Sequence, residues 1–166
     1  MLIQEKNWDM RLQKPFWVVD NLLGVTGRNA QNESIVNGQL RCFDVAGKDV
    51  NSPRDKFSVR DVIVRGPIMF DRLKLESMCY LDEAFAPLDS DDKDLCYRAY
   101  RKGLVVGSYV IDYDSPLQWG KTRNNQWSNI VWAKSAEKNI KLLMERHADL
   151  INGEKHNFDL YIPEDL

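Results

Sequence analysis

LDEAFAPLDSDDKDLCYRAYRKGL, residues 81–104, is the stretch on which the reading of this chain turns. Four aspartates, Asp89, Asp91, Asp92 and Asp94, fall within six residues, just where a helix should start. Ser90 or Asp89 can cap that helix, the acids after it complement the positive end of the helix dipole, and Leu95 begins the apolar spacing. Arg98, Arg101 and Lys102 fill the last turn before Gly103. Helix chemistry therefore explains much of the segment. It does not explain the density, because like charges at adjacent and i,i+3 positions repel, and one or two carboxylates would complement the dipole as well. Crowded carboxylates also raise one another's pKa, which makes a general base, or a grip for a cation or for sugar hydroxyls. A solvated helix start and a functional acidic site both remain open at this level.

Upstream, residues 62–64 read as a buried-type strand that Arg65, Gly66 and Pro67 interrupt before the apolar run resumes at 68–70. A glycine followed by proline lets the backbone approach a ligand closely and fixes the next dihedral; a bulge at a sheet edge is the alternative. Downstream, 104–111 reads as a strand that residues 112–116 break. Then comes LQWGKTRNNQW, residues 117–127, in which Trp119, Arg123 and Trp127 are interleaved with polar groups. Aromatic faces stack on sugar rings and an arginine can pair with a diphosphate, so Trp119 and Arg123 are candidates for an acceptor or phosphate lip. Packing of the tryptophans is the competing reading.

Further out, residues 2–14 look helical, with Leu2, Trp8 and Leu12 apolar and Pro15 stopping the run. Residues 22–26 form a short strand candidate closed by Gly27 and Arg28. From 29 to 58 the chain is rich in Asn, Gln, Asp and Gly, which predicts a long excursion with a short hairpin near 40–45. An amphipathic helix is expected over 129–150, since Ala133, Ala136, Ile140, Leu143 and Met144 recur at helical spacing. One domain over residues 1–151 and a peripheral tail over 152–166 follow from this pattern.

The 166 residues suffice for one domain with a core, and a net charge of -2 provides no basic field for nucleic acid. With no apolar run of about 18 residues and no charged-then-apolar leader pattern, the sequence reads as cytoplasmic, and docking on a membrane surface stays possible. Cys42, Cys79 and Cys96 are widely spaced and suggest neither a disulfide framework nor a zinc site. His147 and His156 have poor spacing for a metal and read as ordinary helix-end and tail residues. No metal-ligand set, Ser-His-Asp arrangement, P-loop or G-x-G-x-x-G is found.

VRGPIMFDRLKLESMCY, residues 64–80, followed by LDEAFAPLDSDDKDLCYRAYRKGLVVG, residues 81–107, resembles the second half of family-2-type, nucleotide-sugar-dependent glycosyltransferases of the GT-A fold. In that family an apolar strand ends near a glycine. A short helix, G-x-(L/F)-D-E-x-F, an acidic pair, D-L-x-x-R and a lysine-glycine turn follow. Here the pair is Asp91 and Asp92, with Asp94, Leu95, Arg98, Lys102 and Gly103 in order. Cys79 and Tyr80 stand where glycine is usual, and the pair is Asp-Asp rather than the commoner Glu-Asp. The match spans roughly residues 20–125.

The resemblance implies an α/β fold, a partial GT-A-type mixed sheet flanked by helices whose N-terminal nucleotide-binding half is absent. It also implies an inverting sugar transfer from a nucleotide-diphosphate donor to a glycan or lipid-linked acceptor. Asp92 falls on the family's base and Asp91 would orient it or the acceptor. Arg65 and Gly66 border the sugar cleft, and Asp94, mainly a helix support, is a further candidate contact. The complete enzyme would use a divalent cation, Mg or Mn, held by an Asp-x-Asp or Asp-Asp motif that this chain lacks; MLIQEKNWD resembles the residues following that motif. Strands deprived of neighbours predict self-association, as a homo-oligomer or with the missing half. The alternative is a non-catalytic glycan-binding or subunit-interaction module derived from that fold.

Overall fold

LLGVT at residues 22–26 is buried at every position, and this uninterrupted apolar run becomes a strand covered on both faces. The computed structural model describes residues 2–64, 66–114, 126–163 and 166. Its elements are β1 (Leu2–Ile3), α1 (Trp8–Val18), β2 (Leu22–Thr26), β3 (Asn29–Val36), β4 (Gln39–Gly47), β5 (Lys56–Arg60), β6 (Val62–Val64) and β7 (Ile68–Phe70). They continue as α2 (Arg72–Ser77), α3 (Asp91–Arg101), β8 (Val105–Tyr109), β9 (Tyr113–Asp114), α4 (Gln126–Ile151) and β10 (Phe158–Tyr161).

The architecture is mixed α/β. A five-stranded sheet runs in the order β10-β5-β8-β2-β7, a three-stranded sheet in the order β4-β3-β6, and β1 pairs with β9. Only β2 and β8 run parallel; the other described pairs are antiparallel. Two apolar clusters hold the layers together. One joins Leu23, Ile63 and Val106 of the sheets to Leu95 and Tyr97 of α3 and Leu143 of α4. The other packs Leu12 of α1 on Leu22, Val25, Phe57 and Tyr109. The acidic helix thus rests on sheet and on α4 together. Among the described residues, no helix is long and apolar enough to cross a membrane.

The strands expected at 22–26, 62–64 and 68–70 lie where the apolar pattern puts them, and Asp71 caps α2 by accepting from the Lys74 amide at 3.0 Å. Four expectations need correction. The first helix begins at Trp8, because residues 2–3 pair instead with Tyr113 and Asp114, and it continues through Pro15, which is buried. The expected excursion at 29–58 is mostly a long hairpin, turning at Asn37 and Gly38 with φ of 51° and 73°. That dipeptide favours the tight turn, but Asn32 and Glu33 are fully buried polar residues that disguise a core strand. The tail expected to be peripheral to the domain supplies an edge strand of the five-stranded sheet, since β10 pairs with β5 and Ile162 is buried. Finally, α4 is interrupted at His147, whose φ and ψ are -131° and 15°.

Cys79 and Tyr80, which link α2 to the acidic segment, both sit in the left-handed region with φ of 59° and 60°. A side chain there is strained, and Tyr80 is 54% exposed, so its ring contributes little packing. Tyr80→Gly should therefore raise stability by about 1 kcal/mol in urea denaturation; an equal or lower stability would contradict this reading of the turn.

Candidate functional site

The start of α3 is built unusually. Ser90 occupies the N-cap position with φ of 69° and its side chain makes no cap hydrogen bond, and Asp89 before it has φ of 80°. An N-cap residue normally has an extended backbone that aims its oxygen at the first helical amides. Here the left-handed backbone turns the Ser90 hydroxyl aside, to donate to Asp89 Oδ1 at 3.2 Å. The expected capping by Ser90 or Asp89 therefore does not occur. Local capping leaves the acidic segment under-determined, and other elements must fix it.

Asp91 and Asp92 are half-buried in the first turn, and neither has an ion-pair partner among the described residues. Lys93, the nearest cation in sequence, is drawn the other way: its Nζ pairs with Glu33 on β3, a buried carboxylate that also accepts from Tyr97 Oη at 3.0 Å. Burial, followed by the charges of Asp91 and Asp89, pushes the Asp92 carboxyl up to about 6, against the opposing hydrogen bond from the Lys93 amide. Such a group is mostly ionised at neutral pH yet basic enough to take a proton, which is the tuning a general base needs.

Asp94 has a different environment. It is fully buried, accepting from Arg98 Nε at 2.6 Å and meeting His147 Nε2 at 2.9 Å, with Arg146 Nη1 at 3.5 Å. Burial alone would raise its pKa, but the hydrogen bonds from His147 and Arg98 outweigh it and hold the carboxyl below its usual value. Its oxygens are committed to protein partners, so the structure places it in support of the helix rather than in contact with a ligand. His147 is no ordinary helix-end residue: it is buried and stacks on Tyr97 with ring centroids 5.4 Å apart. Arg146 beside it pairs with Asp82 at 2.7 Å and lies over the Phe85 ring. Sequence reasoning missed both residues. Their signal was two polar groups one turn beyond Leu143, on the stripe of α4 that faces the core.

A shallow groove of about 180 Å³ adjoins this start, between apolar Leu81, Phe85, Pro87 and Leu88 and the carboxylates of Asp82, Glu83 and Asp91. Asp82 is paired with Arg146, whereas Glu83 and Asp91 have no cationic partner among the described residues. The groove thus offers an apolar wall and hydrogen-bond acceptors side by side.

Of the remaining candidates, Gly66 does not line this groove. Gly66 is exposed in the turn between β6 and β7, where an added Cβ would meet only Ile68 N, at 3.7 Å, so no close protein approach demands glycine there. Arg65, Trp119 and Arg123 lie outside the described residues; Trp127 belongs to α4, but its side chain is not described. Cys96 is buried, and burial pushes its thiol up, which makes it an unreactive core residue. Among the described residues, no group of three or more His, Cys, Asp or Glu could hold a metal ion. Asp89, Asp91 and Asp92 are thus not gathered into such a group. No protein-family model, no curated protein and no solved structure matches the chain.

The Asp92 environment has a consequence for stability. Its pKa in the folded chain, about 6, lies above the ordinary 3.8, so between those values the folded state binds more protons than the unfolded state. The contribution of this group to stability is therefore greatest at low pH and falls as pH rises from about 4 through about 6. Asp92→Asn should stabilise the chain at pH 7 by about 1–2 kcal/mol after solvent screening, and by almost nothing at pH 4, in urea denaturation at both pH values. Equal effects at the two pH values would show that Asp92 is not desolvated.

Proposed function

We propose that this chain carries the acceptor side of an inverting, family-2-type glycosyltransferase of the GT-A fold, with Asp92 as its general base. The observation that carries the reading is the state of Asp92: a half-buried carboxyl next in the chain to Asp91 of the groove wall, lifted to about 6 and without an ion-pair partner among the described residues, while Lys93, Arg98 and Arg146 are engaged elsewhere. Support comes also from the order of parts. A strand, a glycine turn, a short capped helix and an acidic helix on a mixed sheet follow one another as in the motif that the sequence resembles. The left-handed Cys79 and Tyr80 occupy the place where that motif has glycine, the residue such a backbone favours.

In the reaction, the acceptor is a hydroxyl of a glycan or of a lipid-linked sugar seated in the groove, its ring against the exposed Leu81 and Pro87. Asp92 accepts the hydroxyl proton as the oxygen attacks the anomeric carbon of the donor sugar. The bond from that carbon to the nucleotide diphosphate breaks, the diphosphate leaves with the electron pair, and attack from the opposite face inverts the centre. Asp91, at the groove wall, accepts a hydrogen bond from the acceptor and orients it. Proton removal by a positioned base contributes typically about 10²–10⁴-fold.

Asp92→Asn keeps shape and removes basicity, so it should lower sugar transfer by about 100-fold or more in the protein that carries this chain. Transfer within about tenfold of the parent rules Asp92 out as base. Calorimetric titration with free sugars and with nucleotide diphosphate plus Mn²⁺ separates this reading from a binding module. Sugar binding that Asp92→Asn leaves intact, with no transfer by the parent, would identify the module.

A further inference from the structure

Two consecutive residues, Asp89 and Ser90, have φ of 80° and 69°, immediately before the helix that presents the acidic pair. Left-handed backbone disfavours residues other than glycine, and it persists only where surrounding structure imposes it. No side-chain cap imposes it from within α3. The imposing group comes from α4. Asn139 is fully buried, and its Nδ2 donates to the carbonyls of Phe85 at 2.5 Å, Leu88 at 2.7 Å and Asp89 at 3.0 Å. Three carbonyls converge on one end of the amide, which identifies that end as the NH₂. The Oδ1 at the other end is buried and has no hydrogen-bond partner among the described residues, a cost the fold tolerates to keep the donors in place.

We propose that Asn139 is the positioning residue of this site: by gathering the carbonyls of Phe85, Leu88 and Asp89 it holds the left-handed turn at Asp89 and Ser90, and so sets where Asp91 and Asp92 stand relative to the groove. The inference rests on the reading of Asp92 as the base but concerns a residue that touches no reacting atom. Lys138 Nζ, one residue earlier, reinforces the same contact by donating to the Ala84 carbonyl at 3.1 Å. The turn that carries the acids is therefore docked on α4 through its backbone, independently of the acidic side chains.

The test combines loss of the clamp with relief of the strain it holds. In Asn139→Ala the turn relaxes and the Asp92 carboxyl gains water, so its titration midpoint, followed by ¹³C NMR, should fall from about 6 toward the ordinary 3.8 by at least one unit. kcat should fall by about 10–100-fold with the KM for the donor unchanged. Adding Ser90→Gly, which accepts a left-handed backbone without strain and adds no contact to α4, should return both readouts toward the parent. A role confined to packing α4 would lower stability but would not be rescued by that glycine. If Asn139→Ala does not fold, Asn139→Ser, which keeps one donor, is read by the same criteria. An unmoved Asp92 midpoint, or a shift that Ser90→Gly leaves unrepaired, overturns the inference. The midpoint is measured without any transfer assay, so a moved midpoint alongside fully active Asp92→Asn would overturn the catalytic reading and leave the clamp standing.

Discussion

A carboxylate removed from water must be met by cations and hydrogen-bond donors, and Asp94 is the point at which this fold satisfies that demand. Its contacts with Arg98, His147 and Arg146 fix α3 against α4, and Glu33 repeats the device by tying Lys93 and Tyr97 of α3 to β3. Removing one partner of such a buried pair costs about 3–5 kcal/mol, because the other charge is left without compensation. The pairs thus specify how three elements meet. They also decide the chemistry of the surface above them.

Each basic residue near the acidic segment is committed by these contacts. Lys93 goes to Glu33, Arg98 to Asp94 and to the carbonyls of Met78 and Tyr80, Arg101 to Asp149, and Arg146 to Asp82 and Asp94. Among the described residues, none pairs with Asp91 or Asp92. The raised pKa of Asp92 is therefore a product of the whole arrangement: burial at the helix start, repulsion from two neighbouring acids, and cations held elsewhere. A single sequence-local feature, the run of aspartates, divides into a structural member, Asp94, and a chemically available pair.

That division was only half legible in the sequence. Strands β2, β6 and β7 could be read as short continuous apolar runs, and helix α4 because its apolar residues recur at helical spacing. Strand β3 could not, because Asn32 and Glu33 occupy core positions and are satisfied by Asp44, Asp61, Lys93 and Tyr97, partners far away in sequence. Its turn was signalled all the same by Asn37 and Gly38 between apolar neighbours. Strand β10 exists because β5 offers an edge, which Phe158, Leu160 and Tyr161 do not announce alone. At the site, the acidic pair stood out by density. Asn139, Arg146 and His147 did not, since each acts across 53 to 64 residues and looks, in isolation, like a polar interruption of an amphipathic helix.

The central claim is that Asp92 removes a proton in sugar transfer, and the pH dependence of kcat/KM tests it most directly. On the acid side, log kcat/KM should fall with a slope near one below an inflection at about 6, the value that burial and the neighbouring acids set for this carboxyl. An activity that stays flat from neutral pH down to the ordinary carboxylate range near 4 would contradict the account.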